Sequence, residues 1–252
     1  MAGPALLEVT ALVKRFGALA ATDGATLSVN SGEIHALIGP NGAGKTSLLA
    51  QIAGTLLPDA GSIRFQGHEI ARLPAHRRVR LGLARSFQIT RLFRGLSALQ
   101  NVALAVQAAQ GSSLSFWRPV ARESALFDQA RAVLAQVGLS GREASLSDDL
   151  SHGEQRALEV ALALATGPQL LLLDEPLAGM GAQESAAMVA LIERLKGRAT
   201  VLLVEHDMQA VFQLADRISV LVGGRVIACG TPAEIRADPA VISAYLGDEA
   251  LP

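Results

Sequence analysis

The chain has 252 residues, 50% hydrophobic and 18% charged, enough to bury a sizeable core and too apolar for a disordered tail. Lys plus Arg number 22 against 23 Asp plus Glu, so a net charge of -1 offers no field for nucleic acid, and no nucleic-acid partner is expected. The single cysteine, Cys229, excludes an intrachain disulfide framework and a cysteine-rich zinc site, and it predicts a reducing compartment.

Residues 1–8 carry no basic start followed by a long apolar stretch, which predicts a chain that stays in the cytoplasm. Residues 6–13, 26–29 and 34–38 read as strands from their β-branched or alternating runs. A glycine-rich turn follows, then a helix over 46–53 stopped by Gly54. Residues 63–65 read as an edge strand. Residues 98–110 and 124–137 carry helical spacing, with a breaker-rich loop between them at 111–119.

From Ser151 onward a helix, a strand over 170–173, a helix over 183–196 and a strand over 201–204 alternate, which predicts parallel strands with crossover helices. Residues 157–173 are the most apolar region, but Glu159, Gly167 and Pro168 interrupt it short of a spanning helix. Two further runs, 218–222 and 225–228, flank Gly223 and Gly224 as a hairpin. A mean hydropathy of +0.34 with 4% aromatics points to an apolar face covered by a partner. The sum is one α/β domain over 1–252: a core from 1–87 and 151–252, with a helical subdomain inserted at about 88–150.

Gly39, Pro40, Asn41, Gly42, Ala43, Gly44, Lys45 and Thr46 satisfy G-x-x-x-x-G-K-[ST] between a predicted strand and a predicted helix. Glycines there let successive backbone N–H groups turn inward on an anion, the helix N-terminus adds partial positive charge, and Lys45 neutralises phosphate. The stretch through Ser47 is expected to hold the phosphates of ATP or GTP, with the Thr46 hydroxyl on Mg²⁺. Asp174 closes the apolar run 170–173, where a carboxylate can organise Mg²⁺ beside phosphates. Glu175 follows it and is expected to orient or deprotonate the attacking water.

Leu150, Ser151, His152, Gly153, Glu154 and Gln155 precede the acidic strand. Ser151 and Glu154 alone form a capping box that opens a helix. Set between the phosphate loop and Asp174-Glu175, the segment resembles the signature motif of ATP-binding-cassette (ABC) ATPases, a P-loop NTPase family. The resemblance covers essentially the whole chain. It implies an ABC-type nucleotide-binding domain with an N-terminal antiparallel β region, and Ser151, His152, Gly153 and Glu154 facing the ATP of a second subunit.

The resemblance also implies roles at three further positions. Gln88 matches the glutamine that senses Mg²⁺ and the γ-phosphate, His206 the histidine that contacts the γ-phosphate, and Phe16 the aromatic stacked on adenine, where core packing is the competing reading. Residues 84–94, Glu205 to Met208 and the tail 239–247 look like the ATPase subunits of branched-chain amino-acid importers, with urea and short-amide importers closely similar. The implied function is ATP hydrolysis driving an ABC importer from the cytoplasmic face of the membrane. Implied partners are transmembrane permease subunits docked near residues 88–94, a second ATPase subunit, identical or similar, in a head-to-tail dimer, and an extracytoplasmic solute-binding protein. A lipid or lipopolysaccharide exporter's ATPase and a soluble non-transport ABC ATPase are the alternatives.

Two departures from the pattern stand out. His152 occupies a position usually held by glycine and would bring a side chain near the trans phosphate. Residues 178–181 lack the aspartate usual after Glu175, which puts communication between the two sites through that loop in question.

Overall fold

The computed structural model describes residues 5–86, 92–110 and 121–245. In chain order the strands are β1 (Ala5–Phe16), β2 (Leu19–Asn30), β3 (Ile34–Ile38), β4 (Ala60–Phe65), β5 (His68–Glu69), β6 (Leu83–Arg85), β7 (Leu170–Asp174), β8 (Thr200–Val204), β9 (Arg217–Val222) and β10 (Arg225–Gly230). The helices are α1 (Lys45–Ala53), α2 (Ala75–Arg80), α3 (Ala98–Ala109), α4 (Ala121–Gln136), α5 (His152–Leu164), α6 (Ala182–Leu195), α7 (Met208–Leu214), α8 (Pro232–Ala237) and α9 (Pro239–Tyr245).

Two sheets divide the strands. The first is antiparallel, in the order β2-β1-β4-β5. On β1, Leu7, Val9 and Leu12 are buried while Glu8 and Thr10 face solvent, the alternation of a half-buried strand. That alternation slips by one residue at Ala11, whose φ of 48° and shifted pairing mark a bulge. Residues 63–65 do not form the edge expected of them. They extend to β4, which pairs with β1 on one side and with the two-residue β5 on the other.

The second sheet has the order β10-β9-β3-β8-β7-β6, parallel except for the β9–β10 hairpin. Every residue of β3, β7 and β8 is buried, so β7 and β8 read as apolar runs ending in Asp174 and starting at Thr200, while β3 is apolar except for the buried His35. Parallel pairing puts Leu37 opposite Val204 and Asp174 opposite Val204. The residues that follow Ile38, Asp174 and Val204 therefore leave the sheet along one edge, where ligands of open α/β sheets bind.

The helices α3 and α4 pack on each other and on α5. Their Val102, Val106 and Leu134 belong to one apolar cluster with Leu158 of α5, Ile192 of α6 and Leu203 of β8. A capping box starts α3: Ser97 Oγ accepts from the Gln100 N–H, and the Gln100 side chain accepts from the Ser97 N–H. Arg78 of α2 is fully buried and donates to the carbonyls of Gln51, Ile52, Leu73 and Ala71, holding the C-terminus of α1. Burial lowers its pKa to about 10, with the Glu69 carboxylate opposing that shift.

Candidate active site

The turn after β3 is a glycine problem before it is a binding site. Gly42 and Gly44 have φ of 78° and 103°. A Cβ at Gly44 would collide with the carbonyl oxygen of Ala21, and one at Gly39 with that of Leu221, so backbone packs where side chains would stand. Gly44 then caps α1 without any side-chain oxygen on the first amides, which leaves a helix N-terminus open to an anion. Lys45, buried, bends back so that Nζ donates to the carbonyls of Gly39 at 2.7 Å and Pro40 at 3.0 Å. Burial pulls its pKa below the usual lysine range, and the Glu175 and Asp174 carboxylates pull it back up.

Across the sheet edge, Asp174 ends β7 in a buried position, with Oδ2 held at 2.7 Å by Nη2 of Arg85. Its Oδ1 is buried and has no hydrogen-bond partner, an arrangement that suits a cation or a cation's water. Glu175 sits at φ 50°, a strained conformation for a residue with a side chain, worth roughly 1–2 kcal/mol. Its N–H donates to the Val204 carbonyl, and its Oε1 lies 2.8 Å from Nε2 of His206. A cleft of about 320 Å³ is lined by Phe16, residues 41–47, Glu175 and His206. Phe16 is 52% exposed, which rules out core packing and leaves its ring on the cleft wall. Gly39 and Pro40 do not line the cleft; their carbonyls hold Lys45 instead.

Glu205 has no role of its own in the sequence reading beyond opening the stretch Glu205 to Met208. It is buried, and its Oε1 accepts from Leu177 N–H at 2.7 Å while Oε2 accepts from His206 N–H at 2.9 Å. Burial raises its pKa above the usual carboxylate range, against hydrogen bonds from the Leu177, His206 and Asp207 amides. The carboxylate thus ties the loop after Glu175 to the backbone that presents His206. An acid between the apolar run 201–204 and His206 was the only sequence signal, and that signal does not specify a partner.

At the start of α5 the capping box forms as expected, with Glu154 N–H donating to Ser151 Oγ at 3.2 Å and Ser151 N–H to Glu154 Oε2 at 2.8 Å. Arg142 takes the other Glu154 oxygen at 2.7 Å. The Ser151 N–H, with Arg142, holds the Glu154 carboxyl below its ordinary pKa. His152 is exposed and turns toward its own chain: its Cε1 lies 3.5 Å from where a Cβ on Gly179 would stand. A second residue without a sequence signal, Glu184 of α6, accepts from Ser151 Oγ at 3.2 Å and from Gly153 N–H at 3.0 Å. None of residues 151–154 lines the Lys45 cleft; Ser151, Gly153 and Glu154 line a separate one of about 160 Å³. Gln88 lies outside the described residues.

The family described as ABC transporter matches residues 22–178, more than half of the chain. The chain belongs to the ABC transporter ATPase family. A second family, described as Branched-chain amino acid ATP-binding cassette transporter, matches residues 225–250 of this ABC ATPase. The chain is 39% identical over 250 residues to the high-affinity branched-chain amino acid transport ATP-binding protein BraF of Pseudomonas aeruginosa, covering 96% of this chain and 98% of that one. It is 38% identical over 253 residues to the corresponding protein LivG of Escherichia coli strain K12, with the same coverage. Its fold matches the ADP conformation of MJ1267, an ATP-binding cassette of an ABC transporter, with a TM-score of 0.84 and 28% identity over 97% of this chain and 99% of that one. The ABC ATPase carries the predicted α/β architecture with its N-terminal antiparallel sheet and binds ATP as a cassette. Among the described residues no helix is long and apolar enough to cross a membrane.

Proposed function

We propose that this ABC ATPase hydrolyses ATP to drive import of branched-chain amino acids or related small amides, as a peripheral subunit on the cytoplasmic face of the membrane. The observation that carries the catalytic reading is the convergence of the Lys45 loop, Glu175 and His206 on one cleft, with Asp174 Oδ1 unpartnered at its sheet edge. The names of BraF and LivG and the match at 225–250 support the substrate class.

Lys45 and the amides of residues 42–47 hold phosphate oxygens, and the Phe16 ring stacks on the base. Among the described residues no cluster of three or more acidic, histidine or cysteine side chains would cage a metal alone. That fits Mg²⁺, which takes one or two protein ligands beside phosphate oxygens, here Asp174 and Thr46, with Gln88 assigned to it by family resemblance. When bound, the ion neutralises phosphate charge. Glu175 takes the proton of the attacking water. His206, whose Nε2 lies 2.8 Å from Glu175 Oε1, positions that carboxylate, and contact with the γ-phosphate is assigned to it by family resemblance.

Two such chains, or this chain and a similar second ATPase, pair head to tail so that Ser151, His152, Gly153 and Glu154 face the partner's ATP. The helical subdomain at about 88–150 carries the permease contact near residues 88–94, where Phe93 is 60% exposed. A solute-binding protein outside the membrane supplies the substrate. Affinity capture of the tagged chain from solubilised native membranes tests the reading. A polytopic membrane protein with a second ATPase and a solute-binding protein supports import; an export permease supports the lipid-exporter alternative, and ribosomal proteins or nucleic acid overturn transport.

A further inference from the structure

The donors that would receive the partner's phosphate are already taken. Glu184 Oε1 accepts from both the Ser151 hydroxyl and the Gly153 N–H, at 3.2 and 3.0 Å. A Cβ at Gly153 would fall 2.8 Å from the Glu184 carboxyl carbon, so only glycine lets that carboxylate come so close. The bond to the Gly153 amide is the main cause of a lowered Glu184 pKa, which keeps the group ionised. We propose that Glu184 is a cis latch on the signature, an internal carboxylate that occupies the Ser151 and Gly153 donors and must withdraw before a partner's γ-phosphate can bind there.

The latch rests on the trans-signature reading given under Proposed function. An N–H has one hydrogen, so Gly153 cannot serve the carboxylate and a phosphate at full strength together. Two anions on one pair of donors also repel. The retreat is built in. Glu184 lies in the first turn of α6, where its Oε2 already accepts weakly from Gly181 N–H at 3.4 Å, and it borders the cleft of about 160 Å³ beside Ala187 and Met188. The same residue joins the loop after Glu175 to the signature helix within one chain, since Gly181 ends that loop. Loss of the usual aspartate at 178–181 therefore leaves a different link, through Glu184 and through His152 against Gly179.

The test measures ATP-driven dimerisation of the full chain by sedimentation, in a Glu175→Gln background that keeps ATP intact. The reference chain, Glu184→Gln, Glu184→Ala and Ser151→Ala are titrated with ATP-Mg²⁺. Glu184→Ala removes the acceptor and frees both donors, so it should form the dimer at roughly tenfold lower ATP than the reference, while Glu184→Gln keeps one neutral acceptor with a weaker hold and should also shift to lower ATP, by less. If Glu184 only braces the α5 N-terminus, both variants need more ATP, and the latch is overturned; an unchanged midpoint overturns it too. Ser151→Ala separates the two layers. It should weaken the dimer, and a Ser151→Ala chain that dimerises like the reference removes the trans signature itself, as does a reference chain that forms no ATP-dependent dimer either alone or with the similar second ATPase.

Discussion

Replacing Glu205 by Gln keeps size and shape and removes the charge from a buried group that holds the loop after Glu175 and the His206 backbone together. Gln retains one acceptor oxygen, so one of the Leu177 and His206 amides faces an NH2 group. A charge-assisted bond of this kind is worth about 1.5–3 kcal/mol, and leaving a buried N–H without acceptor costs a similar amount. Burial has already raised the Glu205 pKa, so relief from burying a charge offsets part of the loss, and the net destabilisation at neutral pH is about 1–2 kcal/mol. The pH dependence has a definite sign. Between the ordinary glutamate value of 4.5 and the raised native value, the folded chain keeps a proton that the unfolded chain releases. The contribution of Glu205 is therefore fully present below 4.5 and is lost as pH rises through the native value. Urea unfolding of both proteins at pH 5 and pH 8 reads it: the wild-type advantage over Glu205→Gln should be larger at pH 5. Steady-state hydrolysis should fall tenfold or more, because the link between Leu177 and His206 is broken at one of its two ends. A variant with unchanged stability, the same gap at both pH values and full turnover would refute the tether.

Phe16→Ala should weaken ATP binding by about 1–3 kcal/mol, the range for an aromatic stacked on a base, while leaving the unfolding midpoint unchanged because the ring is 52% exposed. Equal ATP affinity by equilibrium titration would move adenine off that ring. Arg78→Met leaves four backbone carbonyls without their donor and should cost about 3–5 kcal/mol in denaturant unfolding; a loss below 1 kcal/mol would show that water replaces the guanidinium. Lys45→Ala should lose nucleotide affinity by at least tenfold, read by the same titration, and full affinity would contradict the phosphate-loop assignment.

What the sequence disclosed follows from range. The strands β7 and β8 were readable because burial on both faces makes them largely apolar runs, β3 because its residues apart from His35 are apolar, and the Lys45 loop because its chemistry is contiguous. Capping at Ser151 was readable for the same reason, as both partners lie within one turn. β6 has three residues and gains its strand pairing only from β7, far along the chain, so no period announces it. Arg78 lies in a six-residue helix among three other arginines or histidines, and nothing local marks it as the buried one. Glu184 acts through partners 31 and 33 residues away, and Glu205 ties its neighbour His206 to Leu177, 28 residues away, at positions where sequence shows only a first-turn acid and a strand-end acid.

The central claim is that Glu175 turns a nucleotide cleft into a hydrolytic one, and Glu175→Gln measures it most directly. Phosphate release and ATP binding are followed on the same preparation of wild type and variant. Turnover should fall by 10²-fold or more with ATP affinity retained and the ATP-bound dimer accumulating. Steady-state hydrolysis equal to wild type would contradict the account and remove Glu175 from the chemistry.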